Sequence, residues 1–255
     1  MHSLTYHNGR LDHGSVAAVL DGAAARNDGK RLRNIYDFYC LAQRPNPWSM
    51  AHVVDTAFRH KSVEAIVALA EKIPLRKNGG YLGRAMDRER EHEEFFTTLL
   101  ERLKPTPAQL GEALVYATKQ GRANVVEALQ ERITSRQKAL LRHPKRHEVT
   151  LQHLNTCQEI ALRHAASHGN KTVLYRLLGN TFFATSVVRK AKWRALRRCN
   201  IKCFAALRRY AKSIKKFYAK NLDEVLPSTF PADLTQEIAS YLIPKKGPTT
   251  NEVNR

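Results

Sequence analysis

The sequence predicts an all-α protein built from helical hairpins. Apolar residues recur at the i, i+3, i+4 spacing of amphipathic helices, and no segment shows the period-2 alternation of a strand. Proline and glycine separate the predicted helices at 45–47, 74–80 and 104–107, and Thr106-Pro107 is typical of a helix start. Three segments also repeat one pattern. The spacing predicts the fold class, and the repeat predicts that the helices pair and stack.

Composition narrows the class of protein. The 255 residues are 43% hydrophobic and 26% charged, as in soluble globular proteins that bury a sizeable core. No run reaches the ~18 apolar residues that a membrane span needs, and residues 1–10 lack the apolar core of a secretory signal. Four cysteines do not indicate a disulfide scaffold. We therefore expect an intracellular protein in a reducing compartment, without a membrane span.

The internal repeat is clearest in three segments: 57–69, 117–129 and 165–177. Each begins with an alanine, has a polar turn four residues later, and ends with a leucine twelve residues after the alanine. Gly121 and Gly169 occupy the turn in two copies. A fourth copy over 85–99 carries two inserted residues, and a partial copy is assigned to 14–20. A short helical hairpin cannot bury its apolar faces alone, so neighbouring hairpins are predicted to stack.

This pattern resembles ankyrin repeats over roughly residues 10–180. The stretch from Gly121 to Leu129 is similar to the family's G-x-x-x-V-V-x-x-L segment, although no copy has the Thr-Pro-Leu-His opening. The resemblance implies that residues 1–180 form a degenerate ankyrin-like helical-hairpin solenoid. An irregular all-α bundle is the alternative. The implied target-binding surface is the concave side near the turns, around Arg59, Lys119, Gln120, Arg163 and His168.

Residues 181–221 carry 13 basic residues and no acidic one, which accounts for most of the net charge of +20. Apolar residues three or four positions apart predict a single amphipathic helix from Val187 to Tyr218. Its predicted apolar stripe consists of Trp193, Leu196, Cys203, Leu207, Tyr210, Ile214 and Phe217. Its predicted basic patch consists of Arg189, Lys190, Arg194, Arg197, Arg198, Lys202, Arg208, Arg209, Lys212, Lys215 and Lys216.

The basic helix has several interpretations. It can cap the repeat array with its apolar stripe and leave the cations in water. Its charge also suits nucleic acid or an anionic membrane surface, and paired cations such as Arg197-Arg198 resemble calmodulin targets or nuclear-import signals. These roles are compatible, because one face can pack while the other binds.

The segment 222–243 begins its helix with the apolar-proline pair Phe230-Pro231 and continues with apolar residues at i, i+4, i+7 and i+8. It resembles the first helix of an F-box, with Phe230 in place of the usual leucine and Asp233 in place of the usual glutamate. A full F-box continues through two more helices, whereas 244–255 is predicted to be a flexible tail. The residues that the resemblance assigns to adaptor contact are Phe230, Pro231, Leu234, Ile238, Tyr241 and Leu242.

An F-box-like helix behind ankyrin-like repeats is the arrangement seen in poxviral ankyrin proteins and some intracellular bacterial effectors. The resemblance implies a monomeric, non-catalytic adaptor of host–pathogen interaction in the host cytoplasm or nucleus. Its repeats would bind an unidentified target protein, and its tail would bind the Skp-type adaptor of a cullin-RING ubiquitin ligase. The alternative function is binding of nucleic acid or an anionic surface through residues 187–220. For the tail, the alternative is a last helix packed on its own core.

Catalytic motifs are not evident in the sequence, which contains no glycine-rich phosphate loop and no nucleophile elbow. Pro144 and the cations Lys145 and Arg146 disfavour the only candidate metal cluster, which consists of His143, His147, His153 and Cys157. Cys199 and Cys203 are one helical turn apart, a spacing that suits packing. We expect neither enzymatic activity nor a cofactor or bound metal.

Overall fold

The structure confirms the predicted all-α class. The computed structural model describes residues 6–7, 10–11, 13–42, 47–73, 80–88, 93–181 and 183–225. In this part of the chain, the two-residue strands β1 (Tyr6–His7) and β2 (Arg10–Leu11) pair antiparallel. The helices are α1 (His13–Ala25), α2 (Gly29–Ala42), α3 (Pro47–Arg59), α4 (Val63–Lys72), α5 (Gly80–Arg88), α6 (Glu93–Leu103), α7 (Pro107–Gln120), α8 (Ala123–Leu140), α9 (Pro144–His168), α10 (Lys171–Asn180), α11 (Thr185–Arg197) and α12 (Ile201–Val225).

The chain forms two compact units, residues 1–157 and 158–255. In the first unit, α1 packs against α2, α3 against α4, α5 against α6 and α7 against α8. The first helices of adjacent pairs also contact each other, and so do the second helices, as in α5 with α7 and α6 with α8. Leu20, Phe58 and Leu114 are among the fully buried side chains of this core. In the second unit, α12 packs against α10 and α11.

The start of α7 shows how local sequence determines these boundaries. The Oγ1 atom of Thr106 accepts a hydrogen bond from the Gln109 N–H at 3.3 Å, and Gln109 Oε1 accepts one from the Thr106 N–H at 2.9 Å. This capping box satisfies backbone donors that a helix N-terminus leaves without partners. Pro107 occupies the first helical turn, where its missing N–H costs nothing. The helix start predicted at Thr106-Pro107 is confirmed.

One backbone turn closes five helical hairpins of the described chain. In each, an alanine carbonyl near the end of the first helix accepts a hydrogen bond from the N–H five residues later, at 2.9–3.1 Å. The residue four positions after that alanine has a positive φ, between 52° and 76°. This is the left-handed helix end that lets the chain reverse within a few residues. The alanine and left-handed residue of each turn are Ala23 and Asn27, Ala57 and Lys61, Ala117 and Gly121, Ala165 and Gly169, and Ala195 and Cys199.

The repeat found in the sequence corresponds to this turn. The alanines and leucines that begin and end the segments 57–69, 117–129 and 165–177 are all fully buried. Ala85 and Leu99 of the fourth copy are buried as well. The partial copy assigned to 14–20 is wrong, because these residues lie inside α1 and the turn follows at Asn27. Asparagine tolerates the left-handed conformation, so Asn27 forms this turn without a glycine.

The prediction of one basic helix over 187–218 is also wrong. The helix ends at Arg197 and a new one begins at Ile201, because Cys199 adopts φ = 54° and the Asn200 N–H bonds the Ala195 carbonyl at 2.9 Å. The Asn200 side chain donates to the carbonyls of Ala166 at 3.2 Å and Ser167 at 2.6 Å. These bonds satisfy carbonyls at the C-terminal end of α9. Asn200 therefore lies in the turn between α11 and α12 and also stabilises the end of α9.

This break changes which residues form the buried stripe. Trp193 is 60% exposed and Leu196 is 48% exposed, contrary to the prediction for both. Small and β-branched residues bury α11 instead, namely Val187, Val188, Ala191 and Ala195. In α12 the prediction is confirmed for Cys203, Leu207 and Ile214, which are buried, and Tyr210 is half-buried. The side chain of Phe217 lies outside the described residues.

Candidate functional site

The α11–α12 hairpin carries a strongly cationic surface. Nine residues of the predicted basic patch are exposed, namely Arg189, Lys190, Arg194, Arg197, Arg198, Lys202, Arg208, Arg209 and Lys212. Within the part of the chain that the structure describes, none of them forms an ion pair with a carboxylate. The side chains of Lys215 and Lys216 lie outside the described residues. We call the nine exposed cations together with Trp193 the basic surface.

Trp193 lies in the middle of the exposed face of α11. Residues four apart on a helix share a face and are ~6 Å apart along its axis, so Arg189 and Arg197 flank the indole on either side. Two further apolar side chains are exposed near the turn, Leu196 at 48% and Ile201 at 75%. The basic surface therefore combines cations with an accessible aromatic ring. The sequence pattern indicates the cations but predicts Trp193 in the core.

Contacts inside the hairpin hold this surface in place. The Lys192 ammonium lies over the Phe204 ring, 5.7 Å from its centroid, and this cation–π contact joins α11 to α12. The Tyr210 hydroxyl donates to the Thr181 carbonyl and accepts from the Phe183 N–H, both at 3.2 Å. These bonds join α12 to the segment that precedes α11. The exposed side chains thus stand on a packed framework.

Four of the five residues assigned to target binding lie next to the recurrent turn. Arg59 precedes the left-handed residue Lys61 by two positions, and Lys119 and Gln120 directly precede Gly121. All three of these side chains are exposed, as is that of His168, whereas Arg163 is half-buried. The Arg163 Nε donates to the Glu159 carbonyl of its own helix at 3.3 Å. The recurrent turn thus places exposed polar groups at an equivalent point of several hairpins.

A groove of about 660 Å³ lies between α4, α5, α6 and α7. It is not evident in the sequence, because its lining forms only when four consecutive helices pack together. Glu64 pairs with Arg102, and Glu71 pairs with Arg33 at 3.1 Å. Tyr81 donates to the Ile73 carbonyl at 2.9 Å, and burial raises the pKa of its hydroxyl. These contacts hold the helices around the groove together.

The candidate cluster of His143, His147, His153 and Cys157, which the sequence disfavours as a metal site, is dispersed in the structure. Among the described residues, no three His, Cys, Asp or Glu side chains converge as metal ligands would. His153 Nε2 lies 3.6 Å from the sulfur of Cys157, whereas His143 is exposed and directly precedes the start of α9. Cys157 is buried against Gly111, where a Cβ would lie 2.8 Å from the sulfur. Cys157 therefore fills a space that the glycine leaves open.

The four thiols are expected to react at two very different rates. Burial raises the pKa of Cys157, which the Glu112 charge raises further, and burial raises that of Cys203 against a lowering by Lys171. Cys40 and Cys199 are exposed. Because the thiolate is the nucleophile, a raised pKa leaves less of the reactive form below that pKa, and reactivity grows as the pH rises. Iodoacetamide at mildly alkaline pH should therefore modify Cys40 and Cys199 first, as measured by mass spectrometry over time.

Unfolding the chain in urea provides the control for this experiment, because all four thiols should then react at similar rates. Modification of Cys157 or Cys203 in the native protein as fast as Cys199 would contradict the buried positions.

None of the described helices combines the length and the apolar composition needed to cross a bilayer. No protein-family model, curated protein or solved structure matches the chain.

Proposed function

We propose that this protein is a non-catalytic adaptor that binds a target protein through ankyrin-like hairpins and a ubiquitin ligase through its tail. The observation that carries the proposal is the recurrent turn, which closes five hairpins with the same alanine carbonyl bond. Identical closure of successive helix pairs is expected of an array of repeats and is not required in an irregular bundle. The order of contacts in the first unit, first helix with first helix and second with second, supports stacking.

The exposed side chains of the hairpins suit the binding of a protein better than they suit catalysis. Arg59 and Lys119 occupy equivalent points of the first unit, two residues before the left-handed residue, and Gln120 lies next to Lys119; all three are exposed and can contact a partner. Side chains at equivalent points of stacked repeats form extended binding surfaces. Two of the three are cationic, so the target surface we propose is one with exposed carboxylates.

The second half of the proposal depends on the tail. Phe230, Pro231, Leu234, Ile238, Tyr241 and Leu242, which resemble the first helix of an F-box, lie outside the described residues. They follow α12, whose last described residue is Val225. Apolar residues on one face of a short helix fit a partner's apolar groove. We propose the Skp-type adaptor of a cullin-RING ligase as that partner, with the host cytoplasm as the place of action.

A pulldown with the purified Skp-type adaptor tests this function. The full-length chain should retain the adaptor at moderate salt, because the contact is mainly apolar. The double substitution Pro231→Ala with Leu234→Ala should abolish retention. Thr235→Ala with Ser240→Ala is the matched control, since it changes two polar residues of the same segment, and it should leave binding intact. Equal retention by wild type and the Pro231/Leu234 variant, or retention by neither, would contradict the proposal.

A further inference from the structure

We propose that the basic surface of α11 and α12 binds single-stranded nucleic acid, with the Trp193 indole stacked on a base and the flanking guanidinium groups bound to phosphates. This goes beyond the adaptor function and involves a different part of the chain. Two independent observations carry it: the cations have no carboxylate partners among the described residues, and an aromatic ring is exposed between them.

The segment that contains α11 and α12 is strongly cationic. Glu159 is the only acidic residue between 158 and 222, against nine exposed cations on the basic surface. Like charges four residues apart on a helix repel each other and destabilise the helix. A folded chain that keeps such a cluster without counter-charges gains most when a polyanion supplies them. Phosphate backbones provide regularly spaced negative charges and release counterions on binding.

The predominance of arginine on the basic surface favours phosphate as the bound anion. Six of the nine cations of the basic surface are arginines. The planar guanidinium bonds phosphate oxygens through two parallel N–H groups and also stacks on flat rings, which an ammonium does less well. Arg189 and Arg197, one turn before and after Trp193, can therefore bind phosphates on both sides of a base held by the indole.

The position of Trp193 favours nucleic acid over a membrane. A helix that lies on a bilayer buries a continuous apolar face in the lipid and keeps its cations on the opposite side. In α11 the apolar face is already buried inside the protein, through residues such as Val188 and Ala195. The outward face instead carries Trp193 and the 48% exposed Leu196 among cations, which is not a continuous apolar stripe. That arrangement stacks one base and neutralises its neighbouring phosphates.

Stacking also favours single strands over duplexes. In a double helix each base face is covered by the next base pair, so an indole on a protein surface has no free face to stack on. A single strand turns its bases outward, and aromatic side chains bind them with little regard to sequence.

Fluorescence of the full-length chain tests the proposal. Trp48 and Trp193 are the two tryptophans, so Trp48→Phe leaves Trp193 as the sole indole emitter. Oligothymidylate of about twenty nucleotides, long enough for one binding site, should quench this emission. The next variants keep Trp48, and their affinity is measured by fluorescence anisotropy of labelled oligothymidylate. Trp193→Ala should weaken binding by roughly fivefold or more, whereas Trp193→Phe should keep most of the affinity. Because Trp193 is 60% exposed, both variants should keep the native melting curve.

The salt dependence tests the guanidinium groups separately. Replacing Arg189 and Arg197 by glutamine should reduce the slope of log affinity against log salt by about 1.4, or 0.7 for each phosphate that is no longer neutralised. Replacing the exposed residues Lys138 and Arg142 by glutamine removes the same charge from another part of the chain and should leave this slope unchanged.

Three results would overturn the inference. One is equal affinity of wild type and Trp193→Ala for oligothymidylate, or no binding by either. Another is tighter binding of duplex DNA than of the single strand. The third is loss of binding to phosphatidylserine vesicles or polyglutamate in Trp193→Ala while binding of oligothymidylate is unaffected, which would identify a membrane or an acidic protein as the partner.

Discussion

Replacing Leu129 by alanine is expected to lower the free energy of unfolding by about 2–5 kcal/mol. Leu129 closes the repeat segment 117–129 and is fully buried in α8, on the same face as the buried residues Val126 and Ile133. Truncation removes apolar surface from the core and leaves a cavity that packed helices fill only in part. Urea denaturation followed by circular dichroism measures the change.

Leu141 provides the matched control for this experiment. It follows the end of the same helix and is 59% exposed, so the identical substitution should change stability by less than about 0.5 kcal/mol. If the two alanine variants shifted the denaturation midpoint equally, Leu129 would not occupy a packed interior position, and the alignment of the repeat with the helix pairs would be incorrect.

Replacing Gly169 by alanine is expected to have the second-largest effect. Gly169 has φ = 72°, a conformation that costs a residue with a Cβ roughly 1–2 kcal/mol. The new Cβ would also lie 2.7 Å from the Oδ1 of Asn200. Displacing that amide breaks its bonds to the carbonyls of Ala166 and Ser167, which adds about 1–2 kcal/mol. The melting temperature, followed by circular dichroism, should fall accordingly.

Gly179 is the control glycine, because its Cβ would meet nothing within 4 Å and it lies in the last turn of α10. Gly179→Ala should be neutral or slightly stabilising, since alanine has the higher helix propensity. A double-mutant cycle with Asn200→Ala isolates the contact between the two turns. In that background, Gly169→Ala should cost only its backbone strain, and a cost as large as in the wild type would show that Asn200 does not contribute.

The sequence predicts the recurrent turn in the three aligned copies, where the alanine–leucine spacing is complete and a glycine or a polar residue occupies the turn. The turns at Asn27 and Cys199 lie outside those copies and carry no glycine, and left-handed backbone in a residue with a side chain depends on the bonds that surround it. The signal that identifies the fifth copy is present in the sequence nonetheless. Ala195 and Leu207 keep the twelve-residue spacing of the other copies, and both are fully buried.

The basic surface could be predicted in charge but not in shape. A run of cations without acidic neighbours is visible across residues 181–221. The exposure of Trp193 is not visible in the sequence, because the apolar spacing continues across residue 199. One uninterrupted helix would place the indole in the apolar stripe. A single residue with positive φ changes the phase of every position before it relative to those after it. Pattern counting assumes constant phase and therefore misplaces Trp193 and Leu196.

The residue at the left-handed position of the five turns can be exchanged in evolution without removing the hydrogen bond that closes the turn. This position is occupied by Asn27, Lys61, Gly121, Gly169 and Cys199, while the closing bond joins backbone atoms of other residues. An amide, an ammonium, a thiol or a bare hydrogen thus stands at one equivalent point of each hairpin. Where the group bonds nothing outside its turn, selection can exchange it at a cost of about 1–2 kcal/mol for a residue other than glycine. Two positions are more constrained, because a Cβ at Gly169 would displace the Asn200 amide and the Asn27 Oδ1 accepts hydrogen bonds from the N–H groups of Glu64 and Ala65 at 2.8 and 3.3 Å. Divergent partner choice can evolve at the less constrained turns without renewed optimisation of the interior.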